Sequence, residues 1–375
     1  MGYTGKAVCI LIAFFVLWFL LFFIAKEHRV YYEPTMSIRE FALVNGIKPG
    51  RLKHELGYPT ARGRTPVGEL GLDPEKAANV IAHVKAGVDG RMPIALIVQA
   101  AVIGIALVLL RRRKMGSVVK CILLVVAVIG FGFVLGKTYN PMVALVKAGK
   151  VLAGIEAHTV ARLAVFALFC LLAAIGTKAV CGWACPYGAL QELLFKLPVL
   201  SSWKKKHKVP FWLSNSIRAA LFGLFIAALI VNLFGLKQQG RGLYHAVNPF
   251  NLFEFSFGTV SVVVYIVLTL ALSLVFYRPH CYFVCPFGIV SWVLERVSLF
   301  RVRIDREKCT GCGACVTACP GLAMKGLYEN KPMPPDCFSC GECLANCKFD
   351  ALSYTAGVQG ESGVGPQTLK AHEHL

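Results

Sequence analysis

The sequence predicts a mainly helical protein. It reads as a polytopic membrane bundle of about six spans, part of it a duplicated helical hairpin, ending in a small α+β domain dense in cysteine. Three observations carry this prediction. The 375 residues are 56% hydrophobic and only 16% charged, with a mean hydropathy of +0.62, too apolar for a water-soluble chain of this length. Apolar runs long enough to cross a hydrocarbon core recur, with short Lys/Arg blocks at their ends. Of the fifteen cysteines, eight fall into two tightly spaced runs and four into two matched pairs. The formal charge of +20 lies in blocks where positive-inside flanks belong, so it is topogenic charge rather than a nucleic-acid footprint.

Residues 7–25 (Ala7-Val8-Cys9-Ile10 onward) form the first expected span. No small-residue cleavage site follows, so residues 1–25 are expected as a retained anchor. Five more spans are expected near 93–110, 118–136, 161–180, 216–236 and 257–277. Arg111-Arg112-Arg113-Lys114 and Lys204-Lys205-Lys206-His207-Lys208 lie between spans two and three and spans four and five, and the opposite loops, 137–160 and 237–256, are poorer in Lys and Arg. The dense blocks mark the cytoplasmic side, which places both termini and the cysteine runs there. Cys9, Cys121 and Cys170 stand alone in apolar segments and read as packing residues.

The segment 26–92 then falls outside as a small helical module. A capping box at Ser37 and Glu40 opens its first helix, which breaks at Asn45-Gly46. A short helix around 49–57 follows, then turn residues 58–68, then a helix from the Asp73-Pro74 cap to about Lys85. Ile38, Phe41, Leu52, Leu56, Val80, Ile81 and Val84 are its candidate core. The membrane core is expected over 93–299, the cysteine-rich domain over 300–355, and a polar, Gly-rich disordered tail over 356–375.

The first cysteine run is Cys309-Thr-Gly-Cys312-Gly-Ala-Cys315-Val-Thr-Ala-Cys319-Pro320 and the second is Cys337-Phe-Ser-Cys340-Gly-Glu-Cys343-Leu-Ala-Asn-Cys347. Each is the C-x2-C-x2-C-x3-C pattern by which bacterial-type ferredoxins hold [4Fe–4S] clusters. Three thiolates two residues apart wrap three corners of a cube, and the fourth, too far along its own turn, reaches the neighbouring cube. Cluster one is therefore assigned to Cys309, Cys312, Cys315 and Cys347, and cluster two to Cys337, Cys340, Cys343 and Cys319. Gly311, Gly313 and Gly341 stand where the backbone must approach sulfur without a Cβ. Lys348 replaces the proline that closes the first run. Structural zinc has no use for the third cysteine of each run, and a disulfide framework does not suit the reducing side of the membrane.

Asn140-Pro141, a span, and Cys181-Gly-Trp-Ala-Cys185-Pro186-Tyr-Gly188 are followed by Asn248-Pro249, a span, and Cys281-Tyr-Phe-Val-Cys285-Pro286-Phe-Gly288. The two C-x3-C-P motifs lie 100 residues apart, the mark of a duplicated hairpin about a pseudo-twofold axis. Cysteines four apart share one face of a helix, and proline after the second suits the first turn of the next. The segments that follow, 187–197 and 287–299, read as helices lying along the inner surface. Duplication brings Cys181, Cys185, Cys281 and Cys285 toward one axis, where four thiols suit a third cluster, another metal or a redox-active thiol site.

Twin C-x3-C-P motifs followed by two ferredoxin runs resemble the polyferredoxin-like membrane electron-transfer proteins. These are the quinol-dehydrogenase subunit of periplasmic nitrate reductase (NapH type) and the membrane half of the nitrous oxide reductase regulator (NosR type). Cys181-Gly-Trp-Ala-Cys185-Pro186-Tyr-Gly188-Ala-Leu-Gln-Glu is similar to the NosR type, and the resemblance covers about 118–353. It implies a quinol-dehydrogenase-type subunit in the inner membrane of a prokaryote that links quinone and quinol to a partner redox protein, a soluble reductase or a ferredoxin-like donor. The chain departs from the NosR type in having only a short helical 26–92 segment and no threonine flavinylation motif. It departs from the NapH type in having two more spans, so no pathway metabolite carries over. A redox sensor, or a maturation factor for a metallocofactor such as a copper site, is the alternative reading, and a bare anchor for a soluble reductase a third.

No C-x-x-C-H run is present for covalent haem. His158 and His245 in outer loops could hydrogen-bond a quinone but read better as ordinary interfacial histidines, and Tyr139, Asn140, Asn248 and Trp183 have the same ambiguous status; His280 lies at the inner edge. Arg301, Arg303, Arg306 and Lys308 lead into the first run and suit either an acidic donor or a membrane-facing basic edge.

Overall fold

A computed structural model describes residues 32–45, 49–58, 60–89, 91–135, 140–152, 159–198, 204, 208–233, 247–253, 260–331 and 335–356. The expected first span, Tyr139, His158, His245 and residues 357–375 of the expected tail lie outside these. The described chain is mostly helical and carries one antiparallel pair of strands.

Helix α1 (Ile38–Val44) opens on the expected capping box: Ser37 N donates to Glu40 Oε2 at 3.1 Å, and Glu40 N donates back to Ser37 Oγ at 3.2 Å. Helix α2 (Pro49–Glu55) follows, and α3 (Pro74–Asp89) starts on Asp73, whose Oδ1 accepts from Lys76 N at 2.7 Å. Ile38, Phe41, Leu52 and Ile81 are buried together, with Leu56 and Val80 partly buried against them.

Among the described residues, three helices are long and apolar enough to cross a membrane, over Ile94–Arg111, Ser117–Val134 and Phe211–Val231. They lie in α4 (Arg91–Arg111), in α5 (Ser117–Val126) with its π-helical continuation Ala127–Val134, and in α9 (Phe211–Leu233). Ile97, Ile105, Val108, Ile122, Ile129, Leu224 and Ile230 stand exposed on them, an apolar outer surface that suits lipid and not water. Between them α6 (Pro141–Leu152) packs on α7 (Thr159–Gly176). The fourth and sixth expected spans are shorter over the described residues. The apolar part of α7 is Arg162–Gly176, and α10 is Val260–Ser273. The latter's 14 residues rise roughly 21 Å, against about 30 Å of hydrocarbon. Both stop before a buried cation in left-handed backbone, Lys178 and Arg278.

After each stop comes a cysteine motif and a helix begun by proline: α8 (Pro186–Lys196) in the first repeat, α11 (Pro279–Phe283) and α12 (Pro286–Leu294) in the second. The repeats are interleaved: α8 packs on α10 of the other repeat, and α12 on α7. Beyond them β1 (Phe300–Ile304) pairs antiparallel with β2 (Leu352–Ala356), Val302 opposite Tyr354. The strands enclose three short helices, α13 (Ala314–Ala318), α14 (Ala323–Tyr328) and α15 (Glu342–Ala345).

Candidate functional site

The two ferredoxin runs fold into two cavities, each walled by four cysteines. Cys309, Cys312, Cys315 and Cys347 line one, and Cys319, Cys337, Cys340 and Cys343 line the other. Each cavity thus takes three thiols from one run and the fourth from the other. The backbone supplies the approach: Gly311, Gly313 and Gly341 have φ of 73°, 70° and 79°, where a β-carbon would be strained. Four thiols with glycines between them form the donor set of an Fe4S4 cube, so these residues fit that group. Among the described residues, no group of three or more His, Cys, Asp or Glu is placed to hold a single metal ion.

The twin motifs meet in a third cavity, lined by all of Cys181, Cys185, Cys281 and Cys285, with Lys178, His280 and Phe338 also in its wall. Within each pair the cysteines do not share one continuous helix. Cys181 sits in a π-helical turn (Val180–Ala184) and Cys281 in α11, while Cys185 and Cys285 are extended, with ψ of 112° and 117°. Pro186 and Pro286 disfavour the helical region for their predecessors, so Cys185 and Cys285 leave the first helix and take the N-cap position of the next. His280 is buried, with Nδ1 2.5 Å from the Tyr265 hydroxyl and Nε2 without a partner.

A buried charge network ties this cavity to the ferredoxin segment. Lys178 and Arg218 both pair with Asp336, the latter at 2.9 Å. Arg278 Nη2 lies 2.5 Å from Glu192 Oε2, and Lys120 Nζ 2.6 Å from Glu192 Oε1. Tyr277 OH donates to Glu192 at 2.6 Å. Burial pushes the Glu192 carboxyl up, but Lys120 and Arg278 outweigh it and hold it down at about 2. Gln191 and Glu192 are therefore buried rather than turned to solvent as a surface-lying helix requires, because Arg278 and Lys120 take Glu192 inward. Glu342, beside cluster two's cysteines, is half-shielded; burial raises its carboxyl, but Lys120 and Lys196 leave it below the ordinary range.

The ferredoxin segment docks directly on the first motif. Trp183 Nε1 donates to Ser339 O at 3.2 Å, and Ser339 Oγ donates to the carbonyls of Gly176 and Thr177 at 2.9 and 2.8 Å. Trp183, ambiguous in sequence, is thus a docking residue. Phe338, between two cysteines of the second run, lines both that run's cavity and the twin-motif cavity. A β-carbon on Gly182 would run into the backbone carbonyl of Phe338, which has no side-chain freedom with which to yield. Gly182→Ala is expected to separate the ferredoxin segment from the membrane part, read as gain of protease sensitivity near residue 338 with the segment's iron retained.

Asn140 and Asn248 cap local turns, accepting from Val143 N at 2.8 Å and Phe250 N at 3.2 Å. Arg306 donates to Tyr328 O at 2.7 Å and stacks on its ring, and Lys308 pairs with Asp305 at 3.2 Å. The residues that sequence reasoning missed are Lys178, Arg278, Asp336, Glu192 and Phe338. One signal was available: the 100-residue offset that aligns the cysteine motifs also aligns Lys178 with Arg278, each three residues before its first cysteine.

Known proteins carry the same features. A model described as a 4Fe-4S binding domain matches twice, at residues 159–207 and 258–306, covering both cysteine motifs, and a second model of that description matches 302–325. An uncharacterized protein of Methanocaldococcus jannaschii is 31% identical over 189 residues, half of this chain and 68% of that one. The ferredoxin-type protein NapH of Haemophilus influenzae is 28% identical over 53% of this chain and 69% of its own. The regulatory protein NosR of Pseudomonas aeruginosa is 28% identical over 45% of this chain but only 23% of its own. No solved structure matches. With its repeated 4Fe–4S-binding segments and membrane-spanning helices, the chain belongs to the NapH/NosR-type family of ferredoxin-like electron-transfer proteins.

Proposed function

We propose that the chain relays electrons between the membrane quinone pool and a partner redox protein, through the twin-motif cavity, then cluster two, then cluster one. The observation that carries this order is Phe338, one side chain shared by the walls of the twin-motif cavity and the cluster-two cavity. Cys309, Cys312, Cys315 and Cys347 would hold one cubane, Cys319, Cys337, Cys340 and Cys343 the other, and Cys181, Cys185, Cys281 and Cys285 a further iron–sulfur centre. Bound clusters supply one-electron storage at potentials set by hydrogen bonds, charge and exposure. Glycines at the loop turns let the backbone approach the sulfurs, and none of cluster two's cysteines is exposed, Cys343 being buried. Cys312 is exposed, which suits cluster one as the edge a soluble partner meets. A quinol gives up two electrons and two protons; the electrons pass singly along the chain of sites while the protons leave to water.

Orientation follows from charge. Arg113, in the first basic block, donates to Leu344 O at 3.2 Å and Cys347 O at 3.3 Å, and Lys208, in the second, donates to Val316 O at 2.9 Å. These contacts support a reading in which the basic blocks and the ferredoxin segment share one side, the cytoplasmic one by the positive-inside rule.

The test is reduction of the clusters by a quinol analogue in anaerobically prepared membranes, followed by EPR. Rapid reduction is expected in the native chain, and slow reduction with unchanged midpoint potentials in Phe338→Leu. Clusters that dithionite reduces and quinol never does would refute the relay, and a response to copper ions alone would favour a maturation role.

A further inference from the structure

We propose that Lys178 and Arg278 are reciprocal positioning residues. Each crosses the pseudo-twofold axis to place a buried positive charge on the other repeat's cysteine motif, compensating the charge of a four-thiolate iron–sulfur centre. This rests on the proposed relay through the twin motifs and adds to it a specific electrostatic device.

The two residues occupy the same position in the two repeats, three before Cys181 and three before Cys281. Both are completely buried, and both adopt left-handed backbone, with φ of 47° and 48°. That conformation is strained for a side-chain-bearing residue, and it occurs twice at matching places. In each case it follows the end of the helix and lets the side chain reach the other repeat's motif. Lys178 Nζ donates to Gly288 O, in the second motif, at 2.9 Å. Arg278 donates to the carbonyls of Cys181 and Gly182, in the first motif, the latter at 3.0 Å. Gly188 makes room for Arg278, since a β-carbon there would stand 2.9 Å from its Nη1; the matching Gly288 makes room for Arg218 instead, at 2.7 Å from Nη1.

Lys178 and Arg218 share Asp336, with the Glu295 carboxyl also within electrostatic reach of both; Arg278 and Lys120 meet Glu192, and Lys120 also Glu342. An anion held between the cysteines would be a further partner for this buried charge. Lys178 itself lines the four-cysteine cavity, and thiolates bound to an iron–sulfur core are such an anion.

The test is EPR-monitored redox titration, with iron quantification, of the full chain carrying Lys178→Gln, Arg278→Gln, Lys178→Arg or Arg278→Lys. The native chain is expected to hold more iron than the eight atoms of two cubanes. Either glutamine variant is expected to lower the midpoint of the additional centre, because lost positive charge disfavours the more negative reduced form. A tenfold change corresponds to about 59 mV for one electron. The ferredoxin cubanes should hardly move, and Lys178→Arg and Arg278→Lys should hold the native midpoint. An additional centre whose midpoint ignores both glutamine variants would overturn the inference while leaving the relay intact. A native chain with no iron beyond eight would instead overturn the reading of the twin motifs. Should the glutamine variants fail to accumulate, the charge-keeping variants decide: loss of the additional iron in both would contradict a role based on charge.

Discussion

Cys319→Ala and Cys337→Ala are expected to abolish the same EPR signal and to remove the same four irons, the content of one cubane. They lie in different runs, and a chain in which each run closed its own cube would lose different signals. The expectation follows from the cavities: Cys319 lines the one formed by Cys337, Cys340 and Cys343, and Cys347 the one formed by Cys309, Cys312 and Cys315. Cys312→Ala and Cys347→Ala should accordingly form a second matched pair. The two losses should differ in consequence. Cluster two adjoins the twin-motif cavity across Phe338, so its loss should cut cluster one off from quinol, whereas loss of cluster one should leave cluster two reducible. Iron content, with EPR after quinol and after dithionite, reads all four variants; unmatched signals within either pair would reject the crossover.

Asp336→Ala is expected to destabilise the chain by about 3–5 kcal/mol, the usual effect of leaving a buried charge unpaired. Two cations lose their carboxylate at once: Arg218, with Nη1 2.9 Å from Asp336 Oδ2, and Lys178, both wholly buried. Asp336 immediately precedes Cys337, so the loss should also loosen cluster two. Asp336→Asn keeps the shape and removes only the charge, and should recover little of the stability. Thermal unfolding in detergent, with the cluster-two signal as a second reading, checks this. A melting temperature equal to the native one would mean that the network contributes nothing.

Much of the local geometry was legible in the sequence. The spacing of the eight ferredoxin cysteines and their glycines determines which thiols can wrap a cube, and the cavities group them as that spacing predicts. The capping boxes and proline starts were readable for the same reason. The cross-repeat cations were not, because Lys178 meets its partners 110 and 158 residues away and Arg278 meets its own 86 to 97 residues away. The basic blocks carry a second message that topology alone hides: Arg113 and Lys208 also clamp the ferredoxin segment. The departure of Cys185 and Cys285 from the helix was readable from the prolines that follow them, but spacing alone favoured a shared helical face. Glu192 shows the reverse limit, a carboxylate in an amphipathic segment whose burial depends on a cation from the other repeat.

Iron and acid-labile sulfide, counted with EPR on chain purified without oxygen, test the central proposition most directly. Twelve thiols gathered into three cavities predict two cubane signals and iron in excess of eight atoms per chain. An anoxic preparation that is folded and contains no iron would contradict the account.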